Sequence, residues 1–269
     1  MLIGVLLGSL TVLSSNSWPI IWLGLELNLI RFVPIFIKED NSKKAAIIYF
    51  IIQSVGSIIL IRSAIISESK TSSCLFILLG IMIKLGAAPI HFWVPNVITT
   101  LNTLGLYTIM RWQKIAPIFI ITIINLSKDT IRYLNLWTGA VIIISIARPI
   151  IVMIFSGITQ IGWIIIIQGQ LLSFFIFIYF SILIPTVYFL KTKTKDFFLR
   201  IINAGGLPPF SGFIIKLKAL IYIKKKRSLL FISARAVALS CYSRIILNNI
   251  YKTTKISNIT FFALVIGIV

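Results

Sequence analysis

The chain has 269 residues, 58% of them hydrophobic, a mean hydropathy of +1.04, and 26 Lys and Arg against 6 Asp and Glu for a net charge of +20. A soluble domain needs a polar face on nearly every element, and this composition excludes one. The surplus cations sit mostly in breaks between apolar stretches, as loop cations do beside anionic lipid headgroups, so the charge does not signal nucleic acid.

A membrane-crossing helix takes about 20 residues, and apolar stretches of that order recur throughout, which predicts an all-α, polytopic membrane helix bundle of about ten to eleven transmembrane helices. No linker or shift of composition divides it, so residues 1–269 read as a single transmembrane domain. Helices apolar all round carry no periodic signal, so the spans are divided at polar and Gly/Pro/Asn breaks. The first covers about 1–13, Ser14-Ser15-Asn16 turns the chain, and the second runs over about 17–37. Lys38 to Lys44 is a polar loop, the third span ends near Ile66, and Ser67 to Ser73 is the next loop. Met1 leads into the first span without a basic n-region, so no cleavable signal is expected.

The fourth span, about 74–98, is discontinuous near 86–89, at Gly86-Ala87-Ala88-Pro89. Proline lacks a backbone donor and clashes with the preceding turn. Such a break is tolerated at membrane depth only where protein or a water-filled cavity satisfies the freed backbone. Further spans follow at about 102–125, 133–150, 151–168 and 170–190, with Lys128-Asp129 and Gln168-Gly169-Gln170 as breaks. A basic loop with Lys191, Lys193, Lys195 and Arg200 leads into a segment at about 197–223 that is discontinuous near 205–212, at Gly205-Gly206-Leu207-Pro208-Pro209-Phe210-Ser211-Gly212. Lys224-Lys225-Lys226-Arg227 closes it, and spans at about 228–249 and 257–269 complete the series. Loops on the side of the N-terminus hold about ten Lys and Arg against about seven opposite, which places the N-terminus inside.

Ionisable residues well inside such spans cost at least a few kcal/mol and need a partner, a water path or a function. Four qualify: Glu26 in mid-span, Lys84 just before the first break, Lys114 after Trp112-Gln113, and Lys216 after the second break. Any one lysine alone reads as well as a snorkelling side chain or a fixed ion pair. Glu26 is too short to snorkel, and two of the lysines stand beside broken helices, the transporter pattern that marks a site near mid-membrane. Together they point to charge relay, in which neighbouring groups set one another's proton affinity. His91, the only histidine, follows the first break in an aromatic turn and reads first as structural, with a relay role as the alternative. Arg62, Arg111, Arg148, Arg235 and Arg244 read as snorkelling or paired, and the six tryptophans as interface or packing residues.

Cys74 and Cys241 stand alone in apolar context, without the spacing of a disulfide framework, zinc site or iron–sulfur site. No nucleotide-binding loop, dinucleotide fingerprint or nucleophile triad is present. No cofactor, metal or redox centre is therefore expected in this chain. Isoleucine runs such as Ile164 to Ile167, with plentiful Lys and Asn, suit an AT-rich organellar gene.

The motifs resemble a known family, chain 2 of the mitochondrial NADH:ubiquinone oxidoreductase, respiratory complex I. The likeness rests on Gly24-Leu25-Glu26-Leu27-Asn28, on Lys84-Leu85-Gly86-Ala87-Ala88-Pro89 running into His91-Phe92-Trp93-Val94-Pro95, on Trp112-Gln113-Lys114-Ile115-Ala116-Pro117, and on Gly206-Leu207-Pro208-Pro209-Phe210 with Gly212-Phe213 and Lys216. The resemblance implies an antiporter-like fold lacking the first three helices, in a multi-pass protein of the mitochondrial inner membrane with its N-terminus on the matrix side. It implies a core membrane-arm subunit of a proton-translocating NADH:ubiquinone reductase. Glu26 would pair with Lys84, Lys114 would be the central carrier, and Lys216 would sit on the second broken helix. NADH, FMN, iron–sulfur clusters and ubiquinone would belong to other subunits, and the partners would be other membrane-arm subunits and phospholipids such as cardiolipin.

Two departures fall in the centre of that relay. Gln160 stands where the family usually has histidine, leaving it able to hold a water but not to carry a proton, and the family's basic pair before that span is reduced to Arg148-Pro149. The competing readings are a free-standing cation/proton antiporter, which the scarcity of buried carboxylates disfavours, and a purely structural membrane subunit.

Overall fold

The computed structural model describes residues 2–37, 43–65, 70–124, 129–146, 148–167, 170–189, 203, 205–206, 211–221 and 231–244. Among them every regular element is helical: α1 (Leu2–Ser14), α2 (Trp18–Ile37), α3 (Lys43–Ile65), α4 (Lys70–Leu85), α5 (Trp93–Ile98), α6 (Thr103–Met110), α7 (Trp112–Ile123), α8 (Asp129–Ser145), α9 (Pro149–Ile166), α10 (Gln170–Phe189) and α11 (Ser211–Ile221). Residues 231–244 are helical as well. The basic loop at 191–200, the Leu207-Pro208-Pro209-Phe210 run, the 224–227 cluster and the final span at 257–269 lie outside the described residues.

The polarity of the bundle is reversed relative to a soluble protein. Ile3, Leu7, Ile30, Ile47, Phe92 and Phe177 are exposed, whereas Asn28, Gln53, Lys84, Asn135, Gln160 and Lys216 are buried. An apolar exterior, with the few buried polar side chains set inside a largely apolar core, is what lipid demands, since spanning polar groups must find partners inside the protein. Trp18–Phe36 and Lys43–Ile65 are each long and apolar enough to cross a membrane by themselves.

Hydrophobic burial gives helices in lipid little reason to associate, so close backbone packing and polar contacts must do it. The most intimate pairs are α1 with α2, α3 with α4, and α8 with α9. At the α3–α4 crossing two glycines meet: a Cβ on Gly80 would stand 2.8 Å from the Gly56 carbonyl oxygen, and one on Gly56 would stand 3.2 Å from the Gly80 carbonyl oxygen. Gly56 also leaves room for the Lys84 stem, whose Cγ would lie 3.2 Å from that Cβ. A ladder of rings fixes α2, α3 and α5: Phe32 against Tyr49 at 5.3 Å, Phe36 against Tyr49 at 5.3 Å, and Tyr49 against Trp93 at 5.9 Å between centroids.

Two boundaries differ from the sequence expectation. The span expected at about 102–125 is two helices that meet at Arg111, whose backbone (φ −118°, ψ −73°) leaves the helical path for one residue. Hydrogen bonds continue on both sides, from Arg111 N to Tyr107 O at 3.1 Å and from Lys114 N to Arg111 O at 3.2 Å, so apolar patterning gave no sign of the break. The chain also turns before Pro149 rather than after it. Arg148 is extended (φ −80°, ψ 121°) and Pro149 opens α9, a position where the missing N–H and fixed φ cost nothing. Pro149 thus starts a helix and does not interrupt one.

Candidate functional site

The first break is built by Gly86. Its φ of +62° places it in the left-handed region, and Gly86 N donates to Ile83 O at 3.1 Å while Ala87 N donates to Met82 O at 3.0 Å. This pair of bonds is the Schellman ending of a helix, in which glycine takes the residue after the cap. The sequence points to Pro89 as the breaker, yet α4 has already ended four residues earlier, at Leu85, for a reason of backbone chirality. The freed amide of Ala88 donates to Asn135 Oδ1 at 2.8 Å, and Asn135, fully buried on α8, donates through Nδ2 to Ile131 O at 2.9 Å.

Ending α4 there sets Lys84 in its last turn, where the negative end of the helix dipole favours a cation. Lys84 and Gln53 of α3 bond reciprocally: Gln53 Nε2 donates to Lys84 O at 3.2 Å, satisfying one of the carbonyls that a helix end leaves open, and Lys84 Nζ donates to Gln53 O at 3.3 Å. Half-buried Glu26 on α2 is the electrostatic partner of the Lys84 ammonium. Two residues further along α2, Asn28 Oδ1 accepts from Gln113 Nε2 at 3.0 Å, tying the Glu26 motif to the first turn of α7, which carries Lys114. Lys84, Gln113 and Lys114 line one cavity with Tyr49 and Trp93. It is large enough to hold a water.

The second break places Lys216 differently. Gly206, with φ +84°, turns the backbone, and its N–H donates to Asn203 O at 3.0 Å. Gly212 N donates to Asn203 Oδ1 at 3.1 Å. Lys216 Nζ on α11 reaches back to Gly205 O at 2.9 Å, and the Arg235 guanidinium donates to Gly206 O while lying 4.7 Å over the Phe213 ring. Lys216, Arg235, Gly205, Thr159, Trp163 and Tyr242 border a second, smaller cavity.

Of the other candidates, His91 is buried with its ring 4.4 Å from Phe92 and 5.8 Å from Phe155, and Gln160 is buried on α9. Neither lines the two cavities. Arg111 is held among aromatic rings, 5.4 Å from the centres of Tyr107 and Phe180 and 5.7 Å from Trp112, and it donates to the Tyr107 hydroxyl. Trp93 and Trp163, which default to interface or packing, are packing residues of the cavity walls.

Gln53, Asn135 and Asn203 hold the breaks, and the sequence reading did not single them out. Their signal was present: uncharged amides inside apolar spans are themselves costly in lipid and mark helix-to-helix hydrogen bonds.

No protein-family model matches the chain. A relative from Albinaria caerulea, NADH-ubiquinone oxidoreductase chain 2, is 32% identical over 81% of this chain and 76% of its own length. Among solved structures, a chain of respiratory complex I from Thermus thermophilus with bound aureothin superposes with a TM-score of 0.77 at 16% identity, over 91% of this chain and 68% of that one. A chain of the Mrp complex from Dietzia sp. gives 0.79 at 16% identity, over 90% of this chain and 58% of that one. The structures establish an antiporter-like membrane fold. The identity to the curated relative, sustained over most of both chains, establishes more: this chain belongs to the NADH-ubiquinone oxidoreductase chain 2 family.

Proposed function

We propose that this chain is a proton-pumping subunit of the membrane arm of complex I in the mitochondrial inner membrane, with its N-terminus on the matrix side, and that Glu26, Lys84, Lys114 and Lys216 carry its protons. Family membership makes it a membrane subunit of NADH:ubiquinone oxidoreductase, in contact with other membrane-arm subunits. The observation that carries the relay reading is that Lys84 and Lys114 share one water-sized cavity, with Glu26 of α2 acting electrostatically on Lys84. A water in that cavity can link the two amines, and a proton passed between them changes the charge that Glu26 opposes at Lys84. His91 and Gln160, set back from both cavities, serve packing and water-holding instead.

The apolar exterior is covered by phospholipid, and cardiolipin suits the cationic loops. NADH oxidation, FMN, the iron–sulfur clusters and ubiquinone reduction are assigned to other subunits of the complex.

Lys114→Met tests the reading. In the assembled complex reconstituted into vesicles it should lower the protons pumped per NADH oxidised, or slow pumping and turnover together. Unchanged stoichiometry and turnover would sink the relay assignment.

A further inference from the structure

The two cavities leave a gap. Lys84 and Lys114 border one, Lys216 borders the other, and Gln160 lines neither. The gap is crossed by buried hydroxyls that the relay reading does not use. On α9, Gly157 presents bare backbone, and the space a side chain there would fill is shared by two groups: Lys114 Nζ stands 3.1 Å and Tyr179 Oη 3.7 Å from the position of a Cβ on Gly157. Tyr179 of α10 is buried and interacts electrostatically with Tyr242, which is buried on the helical stretch 231–244. Ser156, the neighbour of Gly157, lies within electrostatic reach of the Tyr242 hydroxyl and itself donates to Met153 O at 2.7 Å. Tyr242 also borders the Lys216 cavity, its ring lying across Gly205, whose carbonyl accepts the Lys216 ammonium.

We infer that Tyr179 and Tyr242 form the proton bridge between Lys114 and Lys216. This inference rests on the relay reading above.

A hydroxyl is suited to the task because it is donor and acceptor at once and passes a proton without a net change of its own charge. Protonated Lys114 gives a proton to a lone pair of Tyr179 Oη, directly or through one water. Tyr179 releases its own hydroxyl proton toward Tyr242, and Tyr242 releases its own toward neutral Lys216. Lys114 ends neutral, Lys216 ends as the ammonium, and both tyrosines end as neutral phenols. Rotation of the hydroxyls then resets the chain. Gly157 has a specific part, since any side chain would occupy the space where ammonium and phenol meet.

The test uses the assembled complex in vesicles, comparing Lys114→Met, the double variant Tyr179→Phe/Tyr242→Phe, the combined triple variant, and Tyr133→Phe as a control whose ring packs on Phe231. Phenylalanine keeps the packing and removes only the hydroxyls. The expected result is that the double variant loses as many protons per NADH as Lys114→Met does, at unchanged complex content, that the triple variant loses no more, and that Tyr133→Phe loses none. Equal, non-additive losses are the signature of groups acting in one path. Should Lys114→Met lower pumping while the double variant pumps like the parent, the tyrosine bridge is wrong and the relay reading stands. Should Lys114→Met also pump like the parent, the relay reading falls and the bridge with it. If the double variant assembles poorly, Gly157→Ala decides: both phenols remain, and the added methyl parts them from the Lys114 ammonium. A normal proton yield from that variant overturns the bridge.

Discussion

The two broken helices solve one problem in different ways. At the first break the backbone is completed without the lysine: Gly86 closes α4, Asn135 takes the Ala88 amide and Gln53 takes the Lys84 carbonyl. The Lys84 ammonium is then left to a carbonyl in the middle of α3 and to Glu26. At the second break Asn203 takes the Gly206 and Gly212 amides, but the carbonyls are closed by cations, because Lys216 and Arg235 take those of Gly205 and Gly206. The first site sets a lysine near a carboxylate, the second sets a lysine near an arginine, whose charge is permanent. Lys84 is therefore free to change its charge with little strain on the backbone, whereas a change at Lys216 is coupled to the backbone of its break.

The largest effect expected from this contrast is at Lys216. In Lys216→Met the buried Gly205 carbonyl loses its charged donor, at a cost of about 1.5–3 kcal/mol, and Arg235 loses the neighbour with which it shares the turn. Both the amount of assembled complex and its thermal midpoint in detergent should fall, along with pumping. A variant that assembles and melts like the parent while pumping less would show that the lysine only carries charge and does not hold the break.

Next in size is Asn135→Leu, which keeps the side-chain volume and removes the acceptor for the Ala88 amide. An unpaired buried amide costs about 1–3 kcal/mol, and the loss should appear as a lower thermal midpoint with the protons pumped per NADH retained in the complex that assembles. Loss of stoichiometry in fully assembled complex would instead make Asn135 part of the charge path.

How far the site was legible in the sequence follows the same division. Glu26, Lys84, Lys114 and Lys216 stood out because a charge in an apolar run is conspicuous whatever the fold, and the Gly/Pro runs marked both breaks. The cause of the first break was misassigned, since the sequence shows a proline and a glycine side by side and only the backbone reveals that Gly86 at φ +62° ends the helix. The break at Arg111 was not legible at all, because one residue of altered φ and ψ leaves no gap in the apolar pattern. The amides that complete the breaks come from distant elements: Asn135 lies 47 residues from Ala88, and Gln53 lies 31 residues from Lys84. A single sequence cannot place them together, although their cost in lipid made them worth noticing.

The smallest stability effect is expected at Lys84. The Gln53 carbonyl that accepts its ammonium lies in the interior of α3 and has a second partner in that helix, so Lys84→Met leaves no backbone group of the break open. Methionine matches the aliphatic stem for which Gly56 leaves space, and half-buried Glu26 is not stranded in the core when its partner goes. The expected cost is about 1 kcal/mol, that of one hydrogen bond, with complex content and thermal midpoint close to the parent. Measured side by side with Lys216→Met, the difference in midpoint isolates what each lysine does for its break, because both substitutions remove one buried ammonium and differ in what the ammonium was holding. Equal losses would mean that the Lys84 ammonium also closes its break, and the distinction between a lysine free to titrate and one tied to the backbone would have to be given up.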